Sequence, residues 1–300
     1  MIDIRLRTKV ANNAISDLTG KVLGPADYDL LLTGPTYVRK PDGKPLCVYL
    51  PAALRDHYTP DIYDILHSLR PVTTSNRGYA SGSRRIKRGN ADTGLAKRSE
   101  ARPISSAILG SFDPSGAFLY CRLTAWTGRH LPEWQQLHPL LQATAENLAR
   151  YVPDRYNAQM AHANQAHQDW IIPGTPFSTI TVNNSYPTGV HVDKGDLDAG
   201  FSSISVCRRG TYTGGQLIFP QYRVAADLHD GDLILMDAHD WHGNVPITCA
   251  CGNELNGPCT TCNAERISLV AYMRTAITDC GTPAEEANKA AARADARSGL

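Results

Sequence analysis

In the second half of the chain, apolar and polar residues alternate with a period of two over short runs. Most of these runs adjoin glycine, proline, asparagine or aspartate, residues that favour turns. Short strands separated by turns are typical of an antiparallel sandwich or jelly roll. The seven runs that predict strands are residues 177–183, 190–193, 201–207, 216–219, 222–224, 232–236 and 266–272.

The first half has a mixed pattern that predicts short strands and helices. Residues 1–70 alternate the two, and helical spacing of apolar residues predicts a helix over 51–69. A strand is expected over 117–124, followed by helices over 131–151 and 155–170, with Pro153 ending the first of these. The alanine-rich tail 283–300 has no strongly apolar face, so we expect it to be peripheral.

These patterns predict a mainly β protein with flanking helices, of the α+β class. We expect a single domain over residues 1–300, with N-terminal α/β support at 1–160 and a jelly-roll core at 165–280. A chain of 300 residues is long enough to bury a sizeable core.

Composition and charge are those of an ordinary globular protein, with 42% apolar residues, 20% charged residues and a net charge of +1. No run of about eighteen apolar residues predicts a membrane span, and the N-terminus has no apolar signal core. Four of the eight cysteines fall between 249 and 262, which favours metal binding in a reducing compartment over a disulfide framework. We expect an intracellular, cytoplasmic protein.

Residues 73–100 are rich in glycine, serine and basic residues and have little apolar periodicity. One interpretation is a surface loop, which segments of this length often form. The other is an arm that contacts phosphates, because its basic residues lie close together. They are Arg77, Arg84, Arg85, Lys87, Arg88, Lys97 and Arg98.

Two histidine motifs enclose residues 189–244 and indicate a metal site. His191 and Asp193 form an H-x-D motif, and on a strand both side chains would leave the same face. Two imidazoles and one carboxylate make the facial triad that holds non-haem Fe(II) and leaves coordination positions open. A lone H-x-D is common in solvated turns, whereas its combination with a Gly-Gly hairpin and a later H-G-N is rarer. We therefore predict the active site in this stretch.

The third iron ligand is either His239 or His242. His242 lies in W-H-G-N-V-P, where glycine permits close backbone approach. The spacing of three allows His239 to face elsewhere, towards solvent or substrate. We predict His242 as the ligand.

Fe(II) in such a site still lacks a reductant for O2, which is usually a bidentate 2-oxo acid with a distal carboxylate. Arg266 on the last predicted strand suits that carboxylate, because a guanidinium matches a carboxylate in a fork. Ser268 points the same way and adds a hydroxyl donor. Arg274 is a second candidate, and for either arginine the alternative is a structural ion pair.

The insertion 249–262 lies between His242 and Arg266 and has the pattern C-A-C-x7-C-T-T-C. Its four thiols are close enough in sequence for a tetrahedral zinc site that would hold the loop and do no chemistry itself. The C-A-C pair is tighter than the commonest zinc spacing, and the alternative is a set of unrelated reduced thiols. We expect structural zinc. The four residues are Cys249, Cys251, Cys259 and Cys262.

Together these motifs resemble the TET/JBP family of Fe(II)- and 2-oxoglutarate-dependent nucleic-acid base dioxygenases, especially its compact bacteriophage and microbial members. The resemblance covers about residues 150–280, with weaker similarity through S-N-R-G-Y-A-S-G in the N-terminal half. Each motif alone is unspecific, whereas the set is fairly specific. The matching text is T-I-T-V-N, V-H-V-D-K-G-D, G-G-Q-L-I-F-P-Q-Y, D-G-D-L-I-L-M-D, H-G-N-V-P-I and R-I-S-L-V-A-Y.

The resemblance implies a double-stranded β-helix that uses Fe(II), 2-oxoglutarate and O2. It implies that His191, Asp193 and His242 hold the iron. It also implies that Arg266 binds 2-oxoglutarate with the help of Ser268.

The resemblance further implies a DNA substrate whose target base is flipped out, since its atoms cannot be reached inside the stack. In this family the residue shortly after the H-x-D carboxylate tends to face the flipped base, and here it is Asp196. A carboxylate accepts a hydrogen bond from the amine of cytosine or from the ring N–H of thymine, so it does not separate the two. The alternative is a turn-capping aspartate after Gly195. The other expected substrate contacts are Asn183, Arg77, Arg84 and Arg85.

The leading hypothesis is oxidation of a 5-methylpyrimidine in DNA, 5-methylcytosine first and thymine second. A second hypothesis keeps the oxygenase and changes the substrate to a protein side chain or free amino acid, because a fold does not determine its substrate. A third is a zinc-stapled nucleic-acid-binding module with a vestigial iron site, ranked last because the iron ligands, Arg266 and Ser268 occur together. No membrane association and no obligate protein partner is expected.

Overall fold

The computed structural model describes residues 1–74, 77–82, 85–88, 91–95, 103–115 and 118–298. Two compact units interleave along the sequence. Unit 1 comprises Met1–Ala107, Val182–Asp193 and Ile204–Leu269. Unit 2 comprises Ile108–Thr181, Lys194–Ser203 and Val270–Leu300. The single domain expected over residues 1–300 stays a prediction.

Short strands dominate the secondary structure, as the period-two pattern predicts. The strands are β1 (Ile2–Arg5), β2 (Leu30–Leu32), β3 (Thr36–Arg39), β4 (Pro45–Leu50), β5 (Thr73–Thr74), β6 (Arg85–Arg88), β7 (Ala91–Leu95), β8 (Ile104–Phe112), β9 (Arg122–Leu123), β10 (Thr179–Asn184), β11 (Ser202–Arg209), β12 (Tyr212–Gly214), β13 (Leu217–Phe219), β14 (Val224–Ala226), β15 (Leu233–Met236), β16 (Gly243–Asn244), β17 (Ile247–Cys249) and β18 (Glu265–Tyr272). The helices are α1 (Asn12–Ser16), α2 (Pro60–Ser68), α3 (Ala125–Arg129), α4 (Leu131–Gln136), α5 (His138–Tyr151), α6 (Pro153–Ala163) and α7 (Pro283–Ser298). None of the described helices is both long and apolar enough to cross a bilayer.

The largest sheet has the strand order β1-β3-β4-β15-β11-β18-β10-β8-β5, with β9 paired to β8. Its β4 and β15 are antiparallel, with Leu50 opposite Leu233 and Cys47 opposite Met236. A four-stranded sheet has the order β16-β13-β14-β2, and two hairpins pair β12 with β17 and β6 with β7.

Side chains from the large and the four-stranded sheets pack together in the core of unit 1. Tyr49 and Met236 from one sheet, and Phe219 and Val224 from the other, are at most 1% exposed. Burying an apolar side chain of this size stabilises a fold by about 1.5–3 kcal/mol. The two sheets therefore share one apolar core, as the jelly-roll prediction requires.

Unit 2 has its own core, in which Trp170 and Ile171 pack with Met273 and Ile277. A disulfide joins Cys121 to Cys280, with the Cα atoms 5.6 Å apart. The cysteine spacing does not indicate this bond, because 159 residues separate the two cysteines. In α7, Glu286 is 2% exposed and accepts a hydrogen bond from the backbone N–H of Cys121 at 2.6 Å, which ties this helix to the unit.

The structure corrects several predicted elements. The helix expected over 51–69 begins only at Pro60, as α2, and the helix expected over 155–170 ends at Ala163, as α6. Residues 190–193 form no strand, only isolated bridges from Val190 to Thr19 and from His191 to His242, and the chain then turns at Gly195, whose φ is +85°. The strand expected over 117–124 is reduced to β9 within the described residues, and Phe118 forms only an isolated bridge with Ser115. Pro153 does not merely end a helix: it begins α6, since the first turn needs no N–H donor.

Candidate active site

His191, Asp193 and His242 come together in unit 1 through backbone pairing. The N–H of His191 donates to the carbonyl of His242 at 2.9 Å, and the N–H of His242 donates back at 3.0 Å. The N–H of Asp193 donates to the carbonyl of Ala238 at 3.0 Å. These bonds place the H-x-D motif beside the segment that follows β15.

The three side chains converge on one point. Nε2 of His191 lies 3.5 Å from Oδ1 of Asp193, and Nε2 of His242 lies 3.9 Å from Oδ2 of the same carboxylate. All three ligand atoms lie within 4.8 Å of one another. This spacing and donor set suit a metal held on one face by two imidazoles and a carboxylate.

Both imidazoles are oriented by backbone carbonyls. Nδ1 of His191 donates to the carbonyl of Gly189 at 2.7 Å, and Nδ1 of His242 donates to the carbonyl of Asp240 at 2.9 Å. A hydrogen on Nδ1 leaves the Nε2 lone pair available for a metal. The donors therefore fit Fe(II) chemically as well as in spacing.

The electrostatics favour the metal-binding protonation state at Asp193 and His242, whereas at His191 burial is outweighed by the hydrogen bond and charge of Asp193, which raise the pKa. Burial raises the pKa of the Asp193 carboxyl, but the hydrogen bond and charge of His191 outweigh it and lower that pKa to about 2. Burial and the neighbouring charge of His191 lower the pKa of His242 to about 4. At neutral pH the cluster thus holds a carboxylate and a neutral His242, which metal binding requires.

A buried network supports the segment that carries His242. Nζ of Lys40 lies 2.9 Å from Oδ2 of Asp237 and also pairs with Asp240. Tyr222 donates from its hydroxyl to the other oxygen of Asp240 at 2.9 Å. Because Asp240 supplies the carbonyl that orients His242, this network acts on the ligand through its neighbour.

His239 lies outside the converging group. Its Nδ1 lies 3.3 Å from Oδ1 of Asp237, and the metal-binding group contains His242 instead. That His242 and not His239 is the iron ligand stays a prediction.

Arg266 and Ser268 lie on β18 with only 6% and 7% of their surfaces exposed. Among the described residues, no carboxylate forms an ion pair with the guanidinium of Arg266, and its burial lowers its pKa. A Cβ at Gly215 would lie 3.1 Å from Cδ of Arg266, so glycine lets the hairpin backbone approach this side chain. A buried guanidinium without a counter-ion fits a site for the carboxylate of a 2-oxo acid.

Arg274, the second candidate for that carboxylate, has partners in unit 2. Its Nε lies 3.1 Å from Oδ1 of Asp113, and its Nη1 lies 3.4 Å from Oδ1 of Asp196. Asp196 is buried, and the hydroxyl of Ser202 lies 3.5 Å from its other oxygen. The predicted base contact therefore belongs to a buried ionic network, and its role stays a prediction.

Asn183 and Arg77 belong to a polar network in unit 1. Oδ1 of Asn183 accepts hydrogen bonds from Ser106 at 2.7 Å and from Tyr186 at 3.1 Å. Nη2 of Arg77 donates to the Ser106 hydroxyl at 2.8 Å, and its charge helps to lower the pKa of Asp193. Arg77 therefore lies near the triad. Arg84 and the side chain of Arg85 lie outside the described residues.

The four thiols of the insertion form a second converging group, with all sulfur atoms within 4.8 Å of one another. The sulfurs of Cys249 and Cys259 are 3.6 Å apart. Hydrogen bonds from the backbone of Cys262 and its neighbour lower the pKa of the Cys259 thiol to about 6. A thiol that ionises readily is a good metal ligand.

Sequence reasoning missed several residues that surround the site. Lys40 lies about 200 positions before the histidine that it supports, so no local motif could reveal it. Tyr212 is 6% exposed, and its hydroxyl has no hydrogen-bond partner among the described residues. Its position two residues before the Gly-Gly pair was the only available signal.

Comparisons with known proteins give the family. Residues 114–275 match the Tet_JBP model, the oxygenase domain of the 2OGFeDO superfamily. The chain is 33% identical to thymine dioxygenase JBP1 of Leishmania braziliensis, over 60% of this chain and 21% of that protein. It is 30% identical to thymine dioxygenase JBP1 of Trypanosoma brucei brucei, over 84% of this chain and 27% of that protein. The chain thus spans about a quarter of the length of these relatives.

A solved structure of NgTET1 in complex with 5mC DNA is similar over 90% of this chain and 93% of that chain, with a TM-score of 0.55 and 14% identity. At this identity the likeness shows the fold, and it confirms the expected double-stranded β-helix. The family match covers more than half of the chain and includes the triad and Arg266. The chain therefore belongs to the Tet_JBP family, an oxygenase domain of the 2OGFeDO superfamily, whose members use Fe(II), 2-oxoglutarate and O2.

Proposed function

We propose that this chain oxidises the 5-methyl group of a pyrimidine in DNA, using Fe(II), 2-oxoglutarate and O2. The observation that carries the proposal is the convergence of His191, Asp193 and His242, with both Nε2 atoms turned towards one carboxylate, in a chain of this family. Three protein ligands on one face leave positions for a bidentate 2-oxo acid and O2. Iron bound there would couple the oxidation of 2-oxoglutarate to hydroxylation of a C–H bond.

The protein residues bind and orient the reactants. His191, Asp193 and His242 hold the iron, and the carbonyls on their Nδ1 atoms keep the imidazoles in the binding tautomer. Arg266 binds the distal carboxylate of 2-oxoglutarate, and Ser268 adds a hydroxyl. The attraction between a buried cation and a carboxylate is stronger than that of an exposed cation, because water screens the buried pair less.

The proposed substrate is a base flipped out of DNA, since the 5-methyl group must enter the site. Asp196 and Asn183 would contact the base, and the basic residues of 73–100, including Arg77, Arg84 and Arg85, would contact phosphates. The curated relatives at 30–33% identity are named thymine dioxygenases, and the similar solved complex contains 5mC DNA. The C5 methyl group is common to both bases, and we propose an intracellular, cytoplasmic enzyme that acts on one of them.

We also propose that Cys249, Cys251, Cys259 and Cys262 bind one structural Zn(II). Four thiols in mutual contact form a closed tetrahedral donor set with no open position for substrate. The support is their convergence within 4.8 Å and the ready ionisation of Cys259. Zinc here would stabilise the loop between β17 and β18.

The test is incubation of the purified protein with Fe(II), 2-oxoglutarate and either of two duplexes, one with 5-methylcytosine and one with thymine as its only 5-methylpyrimidine. Mass spectrometry of the nucleosides should detect a hydroxymethyl base from one of them, and an Asp193→Ala variant should produce none. Absence of any oxidised base from both duplexes contradicts the proposal. Succinate formation only with peptides or free amino acids would instead support the second hypothesis.

A further inference from the structure

We propose that the hydroxyl of Tyr212 donates a hydrogen bond to the distal carboxylate of 2-oxoglutarate, beside Arg266, and that the four-cysteine cluster holds this tyrosine in place. The inference rests on the proposed function only in taking 2-oxoglutarate as the ligand of Arg266. It adds a cofactor-binding residue that no sequence motif indicates.

The first observation is an unsatisfied donor. Tyr212 is 6% exposed, and its Oη has no hydrogen-bond partner among the described residues. A buried hydroxyl without a partner costs about 1–3 kcal/mol, so such groups are usually completed by a ligand or water. This hydroxyl therefore marks a place that a polar ligand completes.

The second observation is the unpaired cation beside it. Arg266 is buried with no ion-pair partner among the described residues, and its charge interacts with the phenol of Tyr212. Burial nevertheless raises the pKa of Tyr212 to about 12, so the hydroxyl keeps its proton at neutral pH. A cation and a protonated donor in one buried place are complementary to a carboxylate, which accepts from both.

The third observation is how the tyrosine is held. Tyr212 lies on β12 directly opposite Cys249 on β17. Its ring belongs to the apolar cluster that includes Ile247, Cys259 and Ala264. The guanidinium carbon of Arg208 lies 4.1 Å from the centre of the ring. The cysteine cluster and the proposed carboxylate donor therefore share one packed group of residues.

The test measures binding of 2-oxoglutarate to the anaerobic, Fe(II)-loaded protein by calorimetry, without DNA. Tyr212→Phe keeps the ring and removes the hydroxyl, and loss of a hydrogen bond to a charged group should raise the Kd about tenfold or more. Iron affinity should stay unchanged. Tyr58→Phe is the matched control, because Tyr58 also interacts with Arg266 but its hydroxyl already contacts Ser205 at 2.5 Å. That variant should change the Kd by no more than about twofold.

A second ligand distinguishes loss of a hydrogen bond to the distal carboxylate from a general perturbation of the binding site. 2-Oxopentanoate has the same chain length but no distal carboxylate, so wild type and Tyr212→Phe should bind it equally. Unchanged affinity of Tyr212→Phe for 2-oxoglutarate, or an equal loss for both ligands, overturns the inference. Failure of wild type to bind 2-oxoglutarate contradicts this inference and the proposed function together. Normal binding without DNA oxidation contradicts the proposed function alone.

Discussion

Nδ1 of His242 lies 2.9 Å from the backbone carbonyl of Asp240, whose side chain is held by Lys40 and Tyr222. The orientation of a predicted iron ligand thus depends on a lysine that directly follows β3. Partners of this kind commonly change metal affinity by 10- to 100-fold when they are removed.

Lys40→Met should weaken Fe(II) binding about tenfold and lower the free energy of unfolding by about 3 kcal/mol, because the buried carboxylate of Asp237 and the partly buried one of Asp240 lose their counter-charge. Lys44→Met is the control, since the Lys44 side chain is 69% exposed. Metal titration and urea unfolding measure the two effects. Equal iron affinity in both variants would show that Lys40 does not act on the ligand.

His242→Ala should abolish stoichiometric Fe(II) binding, because it removes one of three converging donors. His239→Ala should keep about one iron per chain, since that imidazole lies against Asp237 outside the donor group. Anaerobic equilibrium dialysis followed by metal analysis distinguishes them. If His239→Ala lost the iron and His242→Ala kept it, His239 would be the ligand instead of His242.

Arg266→Met should raise the free energy of unfolding of the cofactor-free protein by about 1–3 kcal/mol, because it removes a buried charge that forms no ion pair within the described part of the chain. The same change should weaken 2-oxoglutarate binding roughly 100-fold. Arg274→Met should instead lower the free energy of unfolding, since Arg274 pairs with Asp113 and Asp196. Urea unfolding of both variants, with calorimetry of the first, measures these effects. A large loss of stability in Arg266→Met would contradict the prediction.

Removal of zinc with a chelator should raise the Kd for 2-oxoglutarate in wild type, because the cysteine cluster packs around Tyr212. The same treatment should have little further effect in Tyr212→Phe, which already lacks the donor. Metal analysis should find about one zinc per wild-type chain and none in Cys259→Ser. Cys207→Ser is the control, because Cys207 is buried but lies outside the four-thiol group. If neither the wild type nor Cys207→Ser bound zinc, the proposed four-cysteine zinc site would be refuted.

Asp196→Asn should lower kcat/KM on DNA about 100-fold if the carboxylate accepts a hydrogen bond from the base, and leave 2-oxoglutarate binding unchanged. Asp113→Asn is the matched variant, because Asp113 is the other carboxylate partner of Arg274. Steady-state assays with both duplexes compare the two. An equal loss in both variants would assign Asp196 a structural role.

The local sequence pattern was sufficient to predict much of the secondary structure and the types of metal-donor residues. Short apolar-rich runs located β10, β11, β13, β15 and β18 to within a few residues, although residues on both faces of β13 and β15 are buried. The four-cysteine cluster was also predicted from the local sequence, since residues in a short loop stay close together independently of the tertiary fold. His191 and Asp193 were also found, although their shared strand was wrong: a single bridge and a turn at Gly195 orient them instead.

Only the tertiary structure decided which groups are partnered. It paired Arg274, just after β18, with two carboxylates, whereas Arg266, near the start of the same strand, forms no ion pair with a carboxylate among the described residues. It also brought Lys40 to Asp240 and Cys121 to Cys280, across about 200 and 159 residues. Such contacts depend on how distant strands and helices pack. Sequence alone therefore determined which chemical groups are present and their local geometry, whereas packing determined which of them remain available for iron, 2-oxoglutarate and DNA.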